Sequence, residues 1–564
     1  MTSTQDTDAG SVLAGGGSDA VLAAAMLRSA RLPVDTLARV AGAVVRSPDA
    51  AAWHLVRGLR RQLAVAVGAG EHVPDLDRRF TDAAWHGNPA LRRLAQSYLV
   101  WCDALRDAVA DTPLEWRTRQ RANFVIDNVV AAAAPSNVPL VNPASAKEAY
   151  DTGGASLRRG LSQFIQDIQR PPRLPHYCDP AAYTIGIDLA VTPGAVVRRD
   201  EVCELLQYAP GADRVDEVPV LMVASPVNKF YLLDLGPKNS VIAALQRSGR
   251  QAFVSSWVNP DERHRDVGLD GYVQAVLDML ETVREITGSP RVHLLGLCGG
   301  GMIALAAAGH LATTRRQDEL ASLTLSVTIA DFGDGGTLGA LLDADTAEAA
   351  ALRATKRGFY AAADTAAGFA WLRPDEGVWM NVVNNYLLGR PPRGSELLFW
   401  AADNTHLTVR LGRDLTSLQL NNSFATPGAL TVLGVPVDLR KLTVTTYLLG
   451  ASTDHIMPWA DCYRTRALFG GPTRFVLASA GHAKALSVPP GAPRTSYRTG
   501  DSDTPDPAAW LSASIAHEGS WWEDWCVWIT EHTPAAKPAP TRLGDEAFPP
   551  LADAPGDLVH RRVL

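Results

Sequence analysis

Six cysteines are scattered through this chain of 564 residues, and one of them stands where a sharp turn has to form. In RVHLLGLCGGGMIALAAAGH, residues 291–310, Cys298 follows a short apolar run and precedes three glycines and a stretch of small, helix-forming residues. A nucleophile aimed out of a sheet needs a turn so tight that side chains two before and two after it would collide. Gly296 and Gly300 occupy those two places. A helix beginning near Gly300 would point its free amides at the sulfur and favour the thiolate. A buried structural cysteine in a glycine-rich turn fits G-x-C-x-G equally well, so the pattern needs partners elsewhere.

A thiol nucleophile needs a base, and the base needs an acid to orient it. On a parallel sheet whose nucleophile sits at a strand-to-helix turn, the acid and then the histidine follow on loops after later strands. GASTDHIMPW, 450–459, offers Asp454, and SAGHAKALSVPP, 479–490, offers His482, each just past a predicted strand. His455 competes for the base but adjoins the aspartate, which suits positioning or packing. Asp331 competes for the acid but sits where a turn or hydrogen-bonding duty fits better. Acyl chemistry also needs donors for the oxygen that becomes negative. The backbone amide of Gly299 is one candidate. The amide of Val227, in the turn SPVNK at 225–229, is the other, since Pro226 has no N–H. Asn228, His455 and Trp459, on these same loops, are candidates for positioning substrate.

These loops need strands beneath them. VPVLMVA (218–224), QAFVSSW (251–257), VHLLGL (292–297), LTLSVTI (323–329), LTVTTYLL (442–449) and TRFVLA (473–478) read as strands separated by helical stretches, the rhythm of a parallel sheet with crossover helices. The fold class is therefore α/β, an α/β-hydrolase fold with sulfur in place of the elbow's oxygen. Residues 1–20 read as a flexible tail, 21–175 as a mostly helical amino-terminal domain, and 176–564 as the catalytic domain. PPRLPHY at 171–177 marks the break between the two domains. The interval of about 331–435 is too long for an ordinary connection and is expected to be an inserted cap. Four tryptophans in EGSWWEDWCVWI, 518–529, read as buried packing on a helix, and the segment after them as irregular chain wrapping the surface.

A net charge of −7 with no arginine or lysine block gives no footprint for nucleic acid. The cysteines are too dispersed for a zinc site or a disulfide scaffold, which implies a reducing compartment. The start of the chain lacks a signal-peptide pattern, and no run of about 18 apolar residues is present to span a bilayer. A cytoplasmic protein touching lipid-like material only at a surface is expected. LAAAMLRSARL, 22–32, can display an apolar stripe for such contact, or pack it against the rest of the chain.

The chain resembles the poly(3-hydroxyalkanoate) synthases. Cys298 in GLCGGG resembles the family's lipase-like box, Asp454 in DHIMPW its aspartate motif, and His482 in GHAKALSVPP its histidine motif. DLDRRFTDAAWHGNP (75–89), PSNVPLVNP (135–143), LAVTPGAVVRRDEVCELLQYAP (189–210), NKFYLLDLGPKNS (228–240), VNNYLLG (383–389) and GSWWEDW (519–525) follow in family order, from near residue 75 to the end. The departures are Gly299, Ala483, Val488 and the absence of an aromatic residue before Asn228 and Lys229. LFGG at 468–471 and the closing segment look most like the single-subunit, medium-chain type, although similar chains also accept four- and five-carbon units.

The resemblance implies polymerisation of (R)-3-hydroxyacyl-CoA into polyester with release of CoA, through an acyl-cysteine on a Cys-His-Asp triad. It also implies a homodimer at the surface of the growing polyester granule, with coenzyme A as a substrate moiety and no cofactor or metal. A cysteine-dependent acyl-CoA thioesterase or ester hydrolase is the alternative that the same triad would serve, and a noncatalytic granule coat is disfavoured by the retained triad.

Overall fold

The computed structural model of the protein describes residues 36, 38–43, 48–333, 336–533 and 535–562. The tail expected over 1–20 and the apolar stripe of 22–32 lie outside the described residues. Two compact units emerge: Ala23–Asp179 with Ala367–Gly394, and Pro180–Ala366 with Ser395–Leu564. Residues 367–394, from the interval expected as a cap, thus belong with the helical unit.

That unit contains α1 (Pro48–Ala66), α2 (Pro89–Asp111), α3 (Trp116–Ala132), α4 (Pro143–Asp151) and α5 (Ala155–Gln169). Local sequence starts two of these helices in the same way. Asn88 and Asn142 cap α2 and α4 with their side-chain oxygens, and a proline follows at the first helical position, where a missing N–H costs nothing. Phe80 and Trp85 meet edge to face at 5.0 Å in a small core with Val73 and Ala95. The VNNYLLG segment forms a π-helix, Val382–Leu387, clamped onto α4, α5 and the chain after it. Ser145 donates to the Leu387 carbonyl at 3.1 Å, Tyr386 to Asp167 at 2.7 Å, and Asn385 to the His176 carbonyl. Gly160 leaves room for the Tyr386 carbonyl, against which any side chain would collide.

The second unit is built on one sheet of 11 strands. In chain order these are β1 (Gly194–Arg199), β2 (Cys203–Tyr208), β3 (Val220–Val223), β4 (Ala252–Trp257), β5 (Val292–Leu297) and β6 (Leu320–Ser326). They are followed by β7 (Thr446–Ala451), β8 (Thr473–Ala478), β9 (Ser496–Thr499), β10 (Ile515–Glu518) and β11 (Ala552–Asp553). The spatial order is β10-β9-β8-β7-β6-β5-β3-β4-β2-β1-β11. The six central strands, β3 to β8, are parallel. Every residue of β3 to β7 is buried, as helices on both faces of a parallel sheet require. Helices α6 (Leu269–Thr287) and α7 (Gly299–Thr313) flank the nucleophile strand, and α8 (Trp521–Glu531) carries the four tryptophans, all buried.

All six predicted strands are present. The flanks of the sheet go beyond them: β1, β2 and β11 pair antiparallel on one side, and β9 and β10 on the other. The carboxyl-terminal segment, expected as irregular wrapping, supplies β11 and a further strand, Ala536–Pro538, paired with Arg214–Asp216. Backbone donors left open at sheet edges are satisfied by this returning chain. Among the described residues no helix is long and apolar enough to cross a membrane.

Candidate active site

The turn after β5 puts Cys298 at φ 54° and ψ −121°, a strained conformation for a residue with a side chain. Three neighbouring glycines make the turn possible by allowing close packing. A Cβ on Gly296 would lie 2.6 Å from the Gly301 Cα, one on Gly300 would collide with the carbonyls of Val223 and Ala224, and one on Gly301 with the Thr328 side chain. The Cys298 amide donates to the Ser326 carbonyl at 2.9 Å, which ties this turn to β6. Gly299 opens α7, so its amide has no intrahelical acceptor.

Register brings Asp454 and His482 together. β7 and β8 are parallel neighbours with Ala451 opposite Ala478. Two loop hydrogen bonds extend that pairing, Ser452 N–H to the Ala478 carbonyl at 2.9 Å and Thr453 N–H to the Ala480 carbonyl at 3.1 Å. Asp454 and His482, just past these bonds, meet with Oδ2 2.6 Å from Nδ1. The other carboxylate oxygen accepts the amides of Ile456 and Met457, each at 2.9 Å, which fixes the carboxylate. His482 Nε2 is buried without a hydrogen bond of standard geometry. Burial alone would lower the pKa of His482, but Asp454 and Cys298 outweigh it and hold the imidazole well above its ordinary value.

Cys298, His482, Ser225, Asn228 and Lys229 share one pocket, lined also by Leu232, Trp400 and Leu486 among others, with a volume of about 30 Å³. The other sequence candidates are placed differently. The Val227 amide donates to Ser225 Oγ at 3.4 Å, and Ser225 lines the pocket. Val227, His455 and Trp459 are not among the pocket's lining residues. Trp459 instead packs its ring 6.4 Å from Trp510 and 6.5 Å from Phe475, because Gly450 lets the tryptophan backbone settle against β7. Asp331 accepts from Gly333 N–H and from the Asn422 side chain, a hydrogen-bonding duty within its turn.

Two supports were not read from the sequence. The first is a clamp from residues 400–405 onto the loop after β3. Trp400 Nε1 donates to the Lys229 carbonyl at 2.7 Å, Thr405 N–H to the Val227 carbonyl at 3.1 Å, and Thr405 Oγ1 to the Pro226 carbonyl at 2.8 Å. Asn228 donates to Asn404, and the Lys229 ammonium lies 2.9 Å from Asp403. Burial pulls the Lys229 pKa below its ordinary value, against the opposing pull of Asp403. A lysine beside an asparagine in a loop was the available signal, but its partner lies far along the chain.

The second support comes from α8. Trp521 Nε1 donates to the Ala485 carbonyl at 2.6 Å and Ser520 Oγ to the Val488 carbonyl at 2.8 Å, so GSWWEDW buttresses the short helix His482–Ser487. The Ala485 carbonyl has no helical partner four residues on, because position 489 is proline. Trp521→Phe would leave this carbonyl buried and unpaired, at a local cost of about 1–3 kcal/mol. The expected result is roughly a 10-fold fall in turnover with an unchanged circular dichroism spectrum.

Residues 235–486 match the family described as alpha/beta hydrolase fold. Together with the strand order and the elbow, that match defines the chain as an enzyme of the α/β-hydrolase fold, here with a cysteine at the elbow. Residues 76–245 match the family described as poly-beta-hydroxybutyrate polymerase (PhaC) N-terminus. The poly(3-hydroxyalkanoate) polymerase 2 of Ectopseudomonas oleovorans is 38% identical over 94% of both chains. Polymerase 1 of the same organism is 37% identical over 92% of both. The polymerase subunit PhaC of Cupriavidus necator is 37% identical over 88% of this chain and 86% of its own. The chain belongs to the poly(3-hydroxyalkanoate) polymerase family, enzymes of the transferase type.

Proposed function

We propose that this protein polymerises (R)-3-hydroxyacyl units, delivered as coenzyme A thioesters, into polyester, with the acyl group carried on Cys298. The observation that carries the reading is the length of the similarity. It runs over 94% of a polymerase and of this chain, whereas a hydrolase of the same fold has no reason to match the helical unit or the tryptophan-rich end.

In this reading His482 takes the Cys298 proton while Asp454 holds the ring by Nδ1 and stabilises the imidazolium. The thiolate adds to the thioester carbonyl, the bond to coenzyme A breaks, and the leaving sulfur takes the proton from His482. One thioester replaces another, so the exchange is close to even in energy. The 3-hydroxyl of the next unit, or of the growing chain, then gives its proton to the same histidine and attacks an acyl thioester; the ester bond forms, the carbon–sulfur bond breaks, and the departing sulfur takes the proton back from His482. A homodimer on the surface of the polyester granule, in the cytoplasm, completes the proposal, with medium-length acyl chains as the units the resemblance favours and four- and five-carbon units also accepted.

The test is incubation of the pure protein with (R)-3-hydroxybutyryl-CoA and with (R)-3-hydroxyoctanoyl-CoA, reading free thiol and solvent-extractable polyester together. Both should appear. Thiol release with only monomeric acid would replace this reading by that of a thioesterase.

A further inference from the structure

The loop after β3 carries a hydroxyl in the pocket that holds Cys298 and His482. Ser225 lines the pocket with Cys298 and His482. Its Oγ accepts the Val227 amide at 3.4 Å, which uses a lone pair and leaves its own O–H to donate. It also stands against the residue that follows the nucleophile. A Cβ on Gly299 would lie 3.1 Å from Ser225 Oγ and 3.6 Å from Pro226 Cδ, so the absence of a side chain at 299 is what gives the hydroxyl this place. The loop is fixed from outside by Trp400, Asp403, Asn404 and Thr405, so the hydroxyl is held in position before any substrate arrives.

We propose that the Ser225 hydroxyl, polarised by the Val227 amide behind it, is the second donor to the oxyanion, opposite the Gly299 amide. The proposal rests on the reading of Cys298 as the acyl-accepting nucleophile. As the S–C bond forms, the carbonyl π pair moves onto oxygen and the hydrogen bond from Ser225 strengthens, with no proton leaving the serine. As the intermediate collapses, the pair returns to the carbonyl and the bond to the leaving sulfur breaks. The Val227 amide then acts through the hydroxyl, which reconciles its position behind Ser225 with a part in the chemistry. A donor aimed at the developing charge in a closed site contributes more than it would in water, because nothing has to reorganise when the charge appears.

The test measures acylation of the full-length protein by (R)-3-hydroxybutyryl-CoA and by p-nitrophenyl butyrate, in wild type, Ser225→Ala and Ser225→Thr. Loss of one oxyanion donor is expected to lower kcat in Ser225→Ala by about 100- to 1,000-fold on both donors, with KM little changed. Threonine keeps the hydroxyl and should stay within about 10-fold of wild type. Gly299→Ala, which presses a methyl group onto the hydroxyl, should also be slow with its fold intact. A Ser225→Ala enzyme within about threefold of wild type on p-nitrophenyl butyrate would overturn the proposal. So would a threonine variant as slow as the alanine one, because that would mark Ser225 as packing only. Wild-type acylation by the nitrophenyl ester but not by the coenzyme A thioester would remove the polymerase reading while leaving the serine comparison valid.

Discussion

Cys298→Ala is expected to abolish polyester formation and covalent labelling by acyl thioester, a loss of about 10⁴-fold or more, while the protein stays folded. Alanine keeps the Cβ and so fits the elbow wherever cysteine does, which confines the change to the sulfur. Replacement of Cys178, Cys203, Cys462 or Cys526 should leave the chemistry in place. Cys203 is engaged with Asp200 at 3.4 Å and Cys462 packs over the Met457 carbonyl at 3.8 Å, neither of them at a strand-to-helix turn. Intact-protein mass spectrometry after a brief exposure to substrate separates the variants. An acyl adduct retained on Cys298→Ala would move the nucleophile elsewhere.

The second large effect concerns the pair behind the sulfur. His482→Ala should lose about 10-fold or more activity than Asp454→Asn does, because the imidazole moves protons whereas the carboxylate orients and stabilises it. An asparagine oxygen can still accept the amides of Ile456 and Met457, but its NH₂ would then face His482 Nδ1 and demand the wrong tautomer. The pair also has a signature in stability. The pKa of His482 is raised in the folded protein above its ordinary 6.5, so its contribution is fully present below that value and is lost as pH rises through the raised one. Denaturant unfolding across this range should show that loss in wild type and a flatter profile in Asp454→Asn. A folded His482→Ala enzyme with near-normal turnover would make His455 the better base.

The core of the fold was readable because the strands beneath the site are buried on both faces and so appear as mostly apolar runs, as in VPVLMVA and VHLLGL. The candidate triad was legible from position alone, since glycines flank the turn and each candidate partner sits just past a strand. The flanking strands were not readable in this way. CELLQY has no alternation to mark it as β2, and β11 exists only through pairing of Ala552 and Asp553 with residues more than 300 positions earlier in the chain. Side-chain direction within loops was equally hidden. Nothing in SPVNK says that the Val227 amide turns onto its neighbour's hydroxyl, and nothing in DHIMPW says that Trp459 joins Phe475 and Trp510 rather than the pocket. The buttress from Trp521 to Ala485 is likewise a contact between segments, and the sequence records only its two ends.

The pocket beside Cys298 and His482 offers about 30 Å³ to water, about the space of one or two molecules. For an acyl chain to enter, its walls would have to move apart, and any cost of that opening would lower the apparent affinity by the fraction of molecules that are open: at one in a hundred, the apparent Kd would stand about 100-fold above the intrinsic one. A ligand that binds the open form alone would then raise the apparent affinity without touching a reacting atom.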